Sequence, residues 1–166
     1  MAKRVLVVMG SDSDFPVMEA CFKTLKEFGL DFQATVCSAH RTPERAAQLA
    51  RSAAEQGFGV IIAAAGLAAH LPGVLAAFTI LPVIGVPIKG GALNGQDSLY
   101  AIVQMPSGIP VATVAIDGAA NAAILAAQIL SLGDPSVAER LKAHKASLEQ
   151  AVLARDQKLQ EKLAGL

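Results

Sequence analysis

The stretch "RVLVVMGSDSD" at residues 4–14 passes from a short apolar run directly into a glycine and four polar residues. An apolar run this short predicts a buried β-strand, and five apolar residues after a basic flank are too few for a signal peptide. Asp14 and Pro16 then predict a helix start. The stretch therefore predicts strand, loop and helix in that order, which is the first unit of an α/β fold.

The same alternation of short apolar runs and helical patterns continues along the chain. The predicted strands are residues 4–9, 32–37, 60–65, 83–87 and 111–116. Runs that are mostly apolar are typical of parallel strands covered on both faces, and only the second run is half polar, which places it at an edge. Five such strands predict a doubly wound parallel sheet of order 2-1-3-4-5 in a three-layer α/β/α sandwich.

Charge and composition limit the kinds of partner. The 14 basic residues balance the 14 acidic ones, so no net field attracts nucleic acid or an anionic membrane. We therefore expect a small-molecule partner, no nucleic acid and no membrane. Cys21 and Cys37 lack the spacing of a metal or redox motif and are expected to be buried thiols, in keeping with a cytoplasmic location.

Unusual loops follow the first three predicted strands. They are "GSDSD" (10–14), "SAHRTP" (38–43) and "GLAAHLPG" (66–73). In the expected order, strand one lies between strands two and three, and ligands bind outside the carboxyl ends of strands where the winding reverses. The sequence therefore predicts one ligand cleft built from these loops.

Two interpretations of "GSDSD" remain open. Serine and aspartate form turns and helix caps through local hydrogen bonds. Alternatively, free amides at a helix start bind an anion with help from the Ser11 and Ser13 hydroxyls, while Asp12 or Asp14 accepts hydrogen bonds from ribose hydroxyls or an amine. The position of the loop at the switch point favours the functional interpretation.

Two of the three histidines, His40 and His70, fall in the predicted cleft. A single histidine would more often be a solvated side chain, but two in one cleft point to proton transfer near neutral pH. Arg41 offers a planar fork for phosphate or carboxylate, although a surface salt bridge also accounts for it. His144 lies in a charged helical segment and is expected at the surface.

The sequence lacks the patterns of several familiar ligands. No GxGxxG follows the first strand, no GxxxxGK[ST] occurs, and no aromatic residue lies in the three loops to stack on a flavin. Ala65 and Gly66 stand where a response regulator would have an acidic residue, and no metal-ligand spacing is present. We expect neither cofactor nor metal.

Several longer motifs, taken in order, resemble the PurE family of purine biosynthesis from the first strand to about residue 132. They are "VMGSDSD", "SAHRTP", "AAHLPG", "LPVIGVP", "ALNGQDSLYAIVQMPSGIPVATVAI" and "NAAILAAQIL". The resemblance implies a flavodoxin-like domain that assembles into an octamer. The two histidine motifs are similar to the class I form, which is an N5-carboxyaminoimidazole ribonucleotide mutase. The alternative class II form carboxylates aminoimidazole ribonucleotide with CO2 and typically lacks the second motif.

The resemblance also implies roles for individual residues and no cofactor. Residues matching positions that hold the nucleotide are Ser11, Asp14, Ser38 and Arg41, and His40 matches the acid/base. The same loops supply a second predicted catalytic residue, His70, and further predicted substrate contacts: Ser13, Ala39, Gly66, Ala68 and Leu71.

Ala64 and Leu67 stand where members of this family usually have glycine. If Leu67 crowds the ligand, activity is reduced or the pocket is reshaped. If Leu67 turns outward, only its backbone NH matters; if it is buried in the interior, its loss lowers stability alone. A chain with an impaired site would be a nucleotide-binding module rather than a mutase.

The expected organisation is a catalytic domain at 1–133 and a long C-terminal helix at 134–166. Apolar residues recur in that helix at spacings of 4, 7, 4, 7 and 4 between Val137 and Leu163. A stripe this long outruns a small domain, so its far end is expected to contact another subunit of a homo-oligomer. The glycine-rich segment 89–95 is expected to be a flexible loop, and the sequence leaves open whether it forms a lid.

Overall fold

A computed structural model of the chain describes residues 3–166. Met1 and Ala2, which begin the predicted unit 1–133, lie outside the described residues. Five parallel strands form one sheet in the order β2-β1-β3-β4-β5, which confirms the predicted topology and the edge position of β2. The strands are β1 Arg4–Met9, β2 Phe32–Val36, β3 Phe58–Gly66, β4 Val83–Ile88 and β5 Ala112–Thr113.

Helices cover both faces of the sheet, which confirms the three-layer sandwich. The helices are α1 Phe15–Glu27, α2 Pro43–Ser52, α3 Leu71–Ala76, α4 Gln96–Val103, α5 Ala119–Ser131 and α6 Pro135–Ala164. Alternate residues of a strand point to opposite faces. In β1, Val5 and Val7 pack with α1 and α5, whereas Leu6 and Val8 pack with α2, α3 and α4. Each face thus has its own buried apolar layer.

The face of α5 that meets the sheet and α1 is made of alanine. Its buried residues are Ala119, Ala122, Ala123, Ala126 and Ala127. Because alanine has only a methyl group, the α5 backbone lies close to the sheet, and larger side chains from β1, β3 and α1 fill the layer.

The fifth strand is much shorter than predicted. Only Ala112 and Thr113 pair with β4, against a prediction of 111–116. The carbonyls of Gly85 and Pro87 both face this side of β4, since they accept hydrogen bonds from Val114 and Asp117. Proline has no N–H, so the ladder from β4 lacks a donor at this point. The chain therefore leaves the sheet and runs beside β4 through isolated hydrogen bonds.

Helix α6 is 30 residues long, which corresponds to about 45 Å. The Asp134 carboxylate caps it by accepting a hydrogen bond of 2.9 Å from the Ser136 amide. Val137 is its buried residue and packs near α5, whereas Leu148 and Leu163 are about half exposed. Within residues 3–166, no helix is both long and apolar enough to cross a bilayer.

Candidate active site

A cleft of about 770 Å³ lies at the carboxyl ends of β1, β3 and β4 and beside the loop that follows β2. The loops after β1, β2 and β3 meet there, as the strand order requires. The structure brings all eleven predicted site residues to its lining: Ser11, Ser13, Asp14, Ser38, Ala39, His40, Arg41, Gly66, Ala68, His70 and Leu71.

The loop after β1 forms both a local cap and part of the cleft. The Ser11 hydroxyl accepts a hydrogen bond from the Ser13 amide at 3.3 Å, and the Asp14 carboxylate accepts one from the Ser11 amide at 3.1 Å. This reciprocal arrangement is a capping box. Ser11, Ser13 and Asp14 also line the cleft, whereas Asp12 does not. Of the two aspartates, Asp14 is therefore the one placed to meet a ligand.

Asp14 is an unusually buried carboxyl group for a ligand cleft. Its exposed fraction is only 5%. Burial raises the pKa of Asp14, hydrogen bonds from the Ser11 and Gly10 amides partly oppose the rise, and the nearby Asp12 charge adds to it. The carboxyl group is therefore held in place by its own loop while it faces the cleft.

The loop after β2 is fixed by hydrogen bonds of Ser38 and Thr42. The Thr42 hydroxyl donates to the Ser38 carbonyl at 2.8 Å and accepts from the Ser38 amide at 3.1 Å. The Ser38 hydroxyl in turn accepts from the Arg41 amide at 3.2 Å and from Arg41 Nε at 3.4 Å. Arg41 is thereby directed from a rigid turn.

Arg41 does not form the salt bridge that the sequence allowed as an alternative. The ion pairs found within residues 3–166 join Lys23 to Glu19 and Lys142 to Glu139. Arg41 is exposed at the cleft, and within the described residues its guanidinium donates a hydrogen bond to the neutral Ser38 hydroxyl. Its charge is therefore available to an anionic ligand.

His40 and His70 are in direct contact although they come from different loops. Nε2 of His40 lies 2.9 Å from Nδ1 of His70, and the two rings meet edge to face with centroids 5.0 Å apart. One ring donates this hydrogen bond and the other accepts it. The remaining ring nitrogens, Nδ1 of His40 and Nε2 of His70, belong to exposed side chains at the cleft.

The cleft also has a wall that includes the start of the glycine-rich segment 89–95, although none of the wall residues was among the predicted site residues. Ile88, Lys89, Gly90 and Gly91 line it from the end of β4. The Lys89 amide donates a hydrogen bond of 2.8 Å to the Asp117 carboxylate, which fixes the start of this segment. The signal that could have found this wall is the position of Lys89 directly after a buried strand adjacent to β3.

Leu67 lies in the lining and is not part of the interior. Its φ is +54° and its exposed fraction is 56%. The interpretation that Leu67 is buried in the hydrophobic interior is therefore wrong. The left-handed backbone region disfavours a residue with a β-carbon by about 1 kcal/mol, so Leu67 holds a strained conformation beside the cleft.

Metal ligation is not indicated by the described part of the chain. Between residues 3 and 166, no group of three or more His, Cys, Asp or Glu side chains lies close enough together to hold a metal ion. Cys21 and Cys37 are free thiols and both are buried. Burial raises the pKa of the Cys21 thiol to about 12, so it is protonated at neutral pH.

A parallel sheet with two histidines, an unpaired arginine and a serine-rich turn at its switch point defines a small-molecule enzyme of the doubly wound α/β class. The family model described as AIR carboxylase matches residues 4–151. The chain belongs to this family, which confirms the resemblance found in its motifs.

Known relatives agree with this assignment along nearly the whole chain. A Thermotoga maritima N5-carboxyaminoimidazole ribonucleotide mutase is 54% identical over 158 residues, which is 95% of this chain and 92% of that protein. A Saccharomyces cerevisiae phosphoribosylaminoimidazole carboxylase is 53% identical over 93% of this chain, but the match spans only 27% of the yeast protein. The crystal structure of Treponema denticola PurE2-S38D superposes with a TM-score of 0.86 at 31% identity, covering 96% of this chain and 99% of that one.

Proposed function

We propose that the cleft carries out the N5-carboxyaminoimidazole ribonucleotide mutase reaction, which moves a carboxylate from N5 to C4 of the imidazole. The chain is an isomerase of purine biosynthesis, since relatives of that activity are about 54% identical over nearly its full length. The observation that carries the proposal is the His40–His70 pair in a cleft that also presents Arg41. The product is 4-carboxy-5-aminoimidazole ribonucleotide.

The chemistry needs one proton at N5 and releases one proton from C4. When the C–N bond of the carbamate breaks, its electron pair returns to N5, which takes a proton, and CO2 is released. C4 then attacks CO2, a C–C bond forms, and C4 loses its proton. His40 serves both steps, because the base left after it protonates N5 accepts the proton from C4. The histidine is therefore restored in each turnover.

His70 supports His40 through the 2.9 Å hydrogen bond between their rings. This bond fixes the orientation of the His40 imidazole and couples its tautomer to that of His70. In this proposal His40 acts on the substrate directly, and His70 holds it and completes the catalytic pair.

The nucleotide is held by the loops after β1, β2 and β3. The Arg41 guanidinium and the Ser38 hydroxyl bind phosphate from one turn, and Ser11 and Ser13 add hydroxyl groups at the start of α1. Asp14 accepts a hydrogen bond from the ribose. Further contacts come from small or apolar positions in the lining: Ala39, Gly66, Ala68 and Leu71.

We also propose that the protein is a homo-oligomer, an octamer by its family resemblance. The apolar stripe of α6 supports this, because it continues from buried Val137 to Leu148, Val152 and Leu163, which are each at least half exposed. Light scattering on the purified chain measures the assembly mass. The buried free thiols Cys21 and Cys37 are in keeping with a cytoplasmic location.

The test of the proposed function is a turnover assay with two substrates in parallel. One reaction contains N5-carboxyaminoimidazole ribonucleotide and the other contains aminoimidazole ribonucleotide with bicarbonate. Higher kcat/KM with the first supports the mutase. Preference for the second supports a CO2-dependent carboxylase, and binding of either nucleotide without turnover supports a binding module.

A further inference from the structure

Leu67 has an unusual combination of properties for a leucine. It is a bulky aliphatic residue at φ +54°, its side chain is largely exposed, and it lines the cleft. Glycine adopts this backbone conformation without strain. Because Leu67 is exposed, its side chain adds little to the hydrophobic core that would offset the strain. A strained backbone conformation of this kind persists where contacts with the surrounding structure hold it in place.

The side chain of Leu67 contacts the opposite wall of the cleft at Gly91. A β-carbon added to Gly91 would lie only 2.6 Å from Leu67 Cδ2, so the leucine methyl group occupies the space that a side chain at position 91 would need. The neighbouring Gly90 has open space around it. Leu67 and Gly91 are thus fitted to each other across the two loops.

The segment that contains Gly91 is anchored at both ends by hydrogen bonds. The Asp117 carboxylate holds the Lys89 amide, and the buried Ser98 hydroxyl lies 3.0 Å from the Ile88 carbonyl and 2.8 Å from the Gly95 carbonyl. Residues 91–94 between these anchors are exposed. The Leu67 contact reaches this part of the segment.

On its other side, Leu67 is tied to the histidine pair. The Leu67 carbonyl accepts a hydrogen bond of 2.8 Å from the Ala69 amide, and the Ala68 carbonyl accepts one of 2.8 Å from the His70 amide. These tight turns make the segment from Leu67 to His70 one short rigid unit. A displacement at Gly91 therefore acts on the loop that carries His70.

We infer that Leu67 clamps the segment Lys89–Gly91 against the loop after β3 and so closes one wall of the cleft over the reacting groups. The inference rests on the proposed function for its chemical consequence. After the carbamate C–N bond breaks, CO2 must stay beside C4 until the C–C bond forms, and a closed wall retains it there. Leu67 is thus a positioning residue that acts through Gly91 rather than on the substrate.

The first experiment tests the clamp without reference to catalysis. Backbone order parameters of residues 90–94 are measured by ¹⁵N relaxation in the ligand-free protein and in Leu67→Ala, which keeps the β-carbon and removes the rest of the side chain. We expect the order parameters to fall in the variant from near the rigid value of about 0.85 toward the flexible range below about 0.6, because the exposed segment loses its contact. Equal order parameters in the two proteins overturn the clamp.

The second experiment measures what happens to CO2. The protein-dependent release of aminoimidazole ribonucleotide is compared with formation of the C4-carboxylated product, starting from N5-carboxyaminoimidazole ribonucleotide. We expect the released fraction to rise at least about threefold in Leu67→Ala, Leu67→Gly and Gly91→Ala, and to stay unchanged in the control Gly57→Ala, which also has a positive φ but lies in open space outside the cleft lining. An unchanged released fraction in the Leu67 variants overturns the role of Leu67 in retaining CO2. Higher turnover in Leu67→Gly also overturns it and indicates instead that Leu67 crowds the ligand. If the unmodified protein shows no mutase turnover, the proposed function fails, while the relaxation experiment still decides whether Leu67 is a clamp.

Discussion

Replacing Arg41 with alanine tests the phosphate site most directly. The guanidinium is exposed at the cleft, and its partner is the neutral Ser38 hydroxyl at 3.4 Å from Nε. No protein carboxylate within residues 3–166 forms an ion pair with it, so an anionic ligand meets its full charge. Hydrogen bonds to charged groups contribute about 1.5–3 kcal/mol, and tenfold in affinity corresponds to about 1.4 kcal/mol. Arg41→Ala should therefore weaken nucleotide binding by about 10- to 150-fold.

The assay combines titration calorimetry with 4-carboxy-5-aminoimidazole ribonucleotide and steady-state kinetics. We expect KM to rise with Kd while kcat stays within about threefold, because Arg41 binds substrate and transition state alike. The difference should shrink as salt is raised, since exposed charges are screened over about 10 Å at 0.1 M. The control is Arg45→Ala, in α2 outside the cleft lining, where the side chain only donates to the Thr35 hydroxyl. A loss below about threefold, or one equal to that of the control, would refute the assignment.

Further predictions concern catalysis, packing and pH. His40→Asn should lower turnover by about 10² or more and leave nucleotide binding within about tenfold, as measured by the same kinetics and calorimetry; near-normal turnover would contradict an acid/base role. Gly85→Ala places a β-carbon into a side chain of α4 and should lower the free energy of unfolding in urea by about 1–3 kcal/mol, while Gly133→Ala, in open space, should change it little. Burial raises the pKa of Asp14, so the free energy of unfolding should fall as pH rises from about 4 through the raised pKa. Over that range, Asp14→Asn should become more stable relative to the unmodified protein. The pKa of Asp134 is lowered, mainly by a hydrogen bond from a hydroxyl in the first turn of α6. Asp134→Asn should therefore be less stable than the unmodified protein at neutral pH, and this difference should disappear as pH falls below about 4. Urea unfolding from pH 3 to 7 measures both variants, and equal slopes of stability against pH for the two would contradict both assignments.

Much of the fold follows from local patterns in the sequence. The short apolar runs locate β1 to β4 closely, and the half-polar run correctly marks β2 as an edge strand. The extent of β5 could not be read in the same way, because its own residues are suitable for a strand. What shortens it is the missing N–H of Pro87 on the neighbouring strand, and this depends on which side of β4 that residue faces.

The candidate site shows the same division between local and non-local information. The three loops could be placed in one cleft because strand order alone brings the carboxyl ends of β1, β2 and β3 together. The contact between His40 and His70 depends on side-chain orientation across 30 residues of chain, and the Leu67–Gly91 contact depends on two positive φ angles in separate loops. Neither distance is contained in any local sequence pattern, so only their shared neighbourhood could be expected.

The alanine face of α5 makes the domain sensitive to mutation in one direction. At its buried positions, such as Ala123 and Ala126, there is almost no side chain to remove, so no substitution can open a large cavity. Any larger residue must push the helix away from the sheet or force the packed side chains of β1, β3 and α1 out of their preferred rotamers. Substitutions of these alanines by serine should therefore be tolerated, whereas substitutions by valine or leucine should not. This is the reverse of the pattern in an ordinary hydrophobic core.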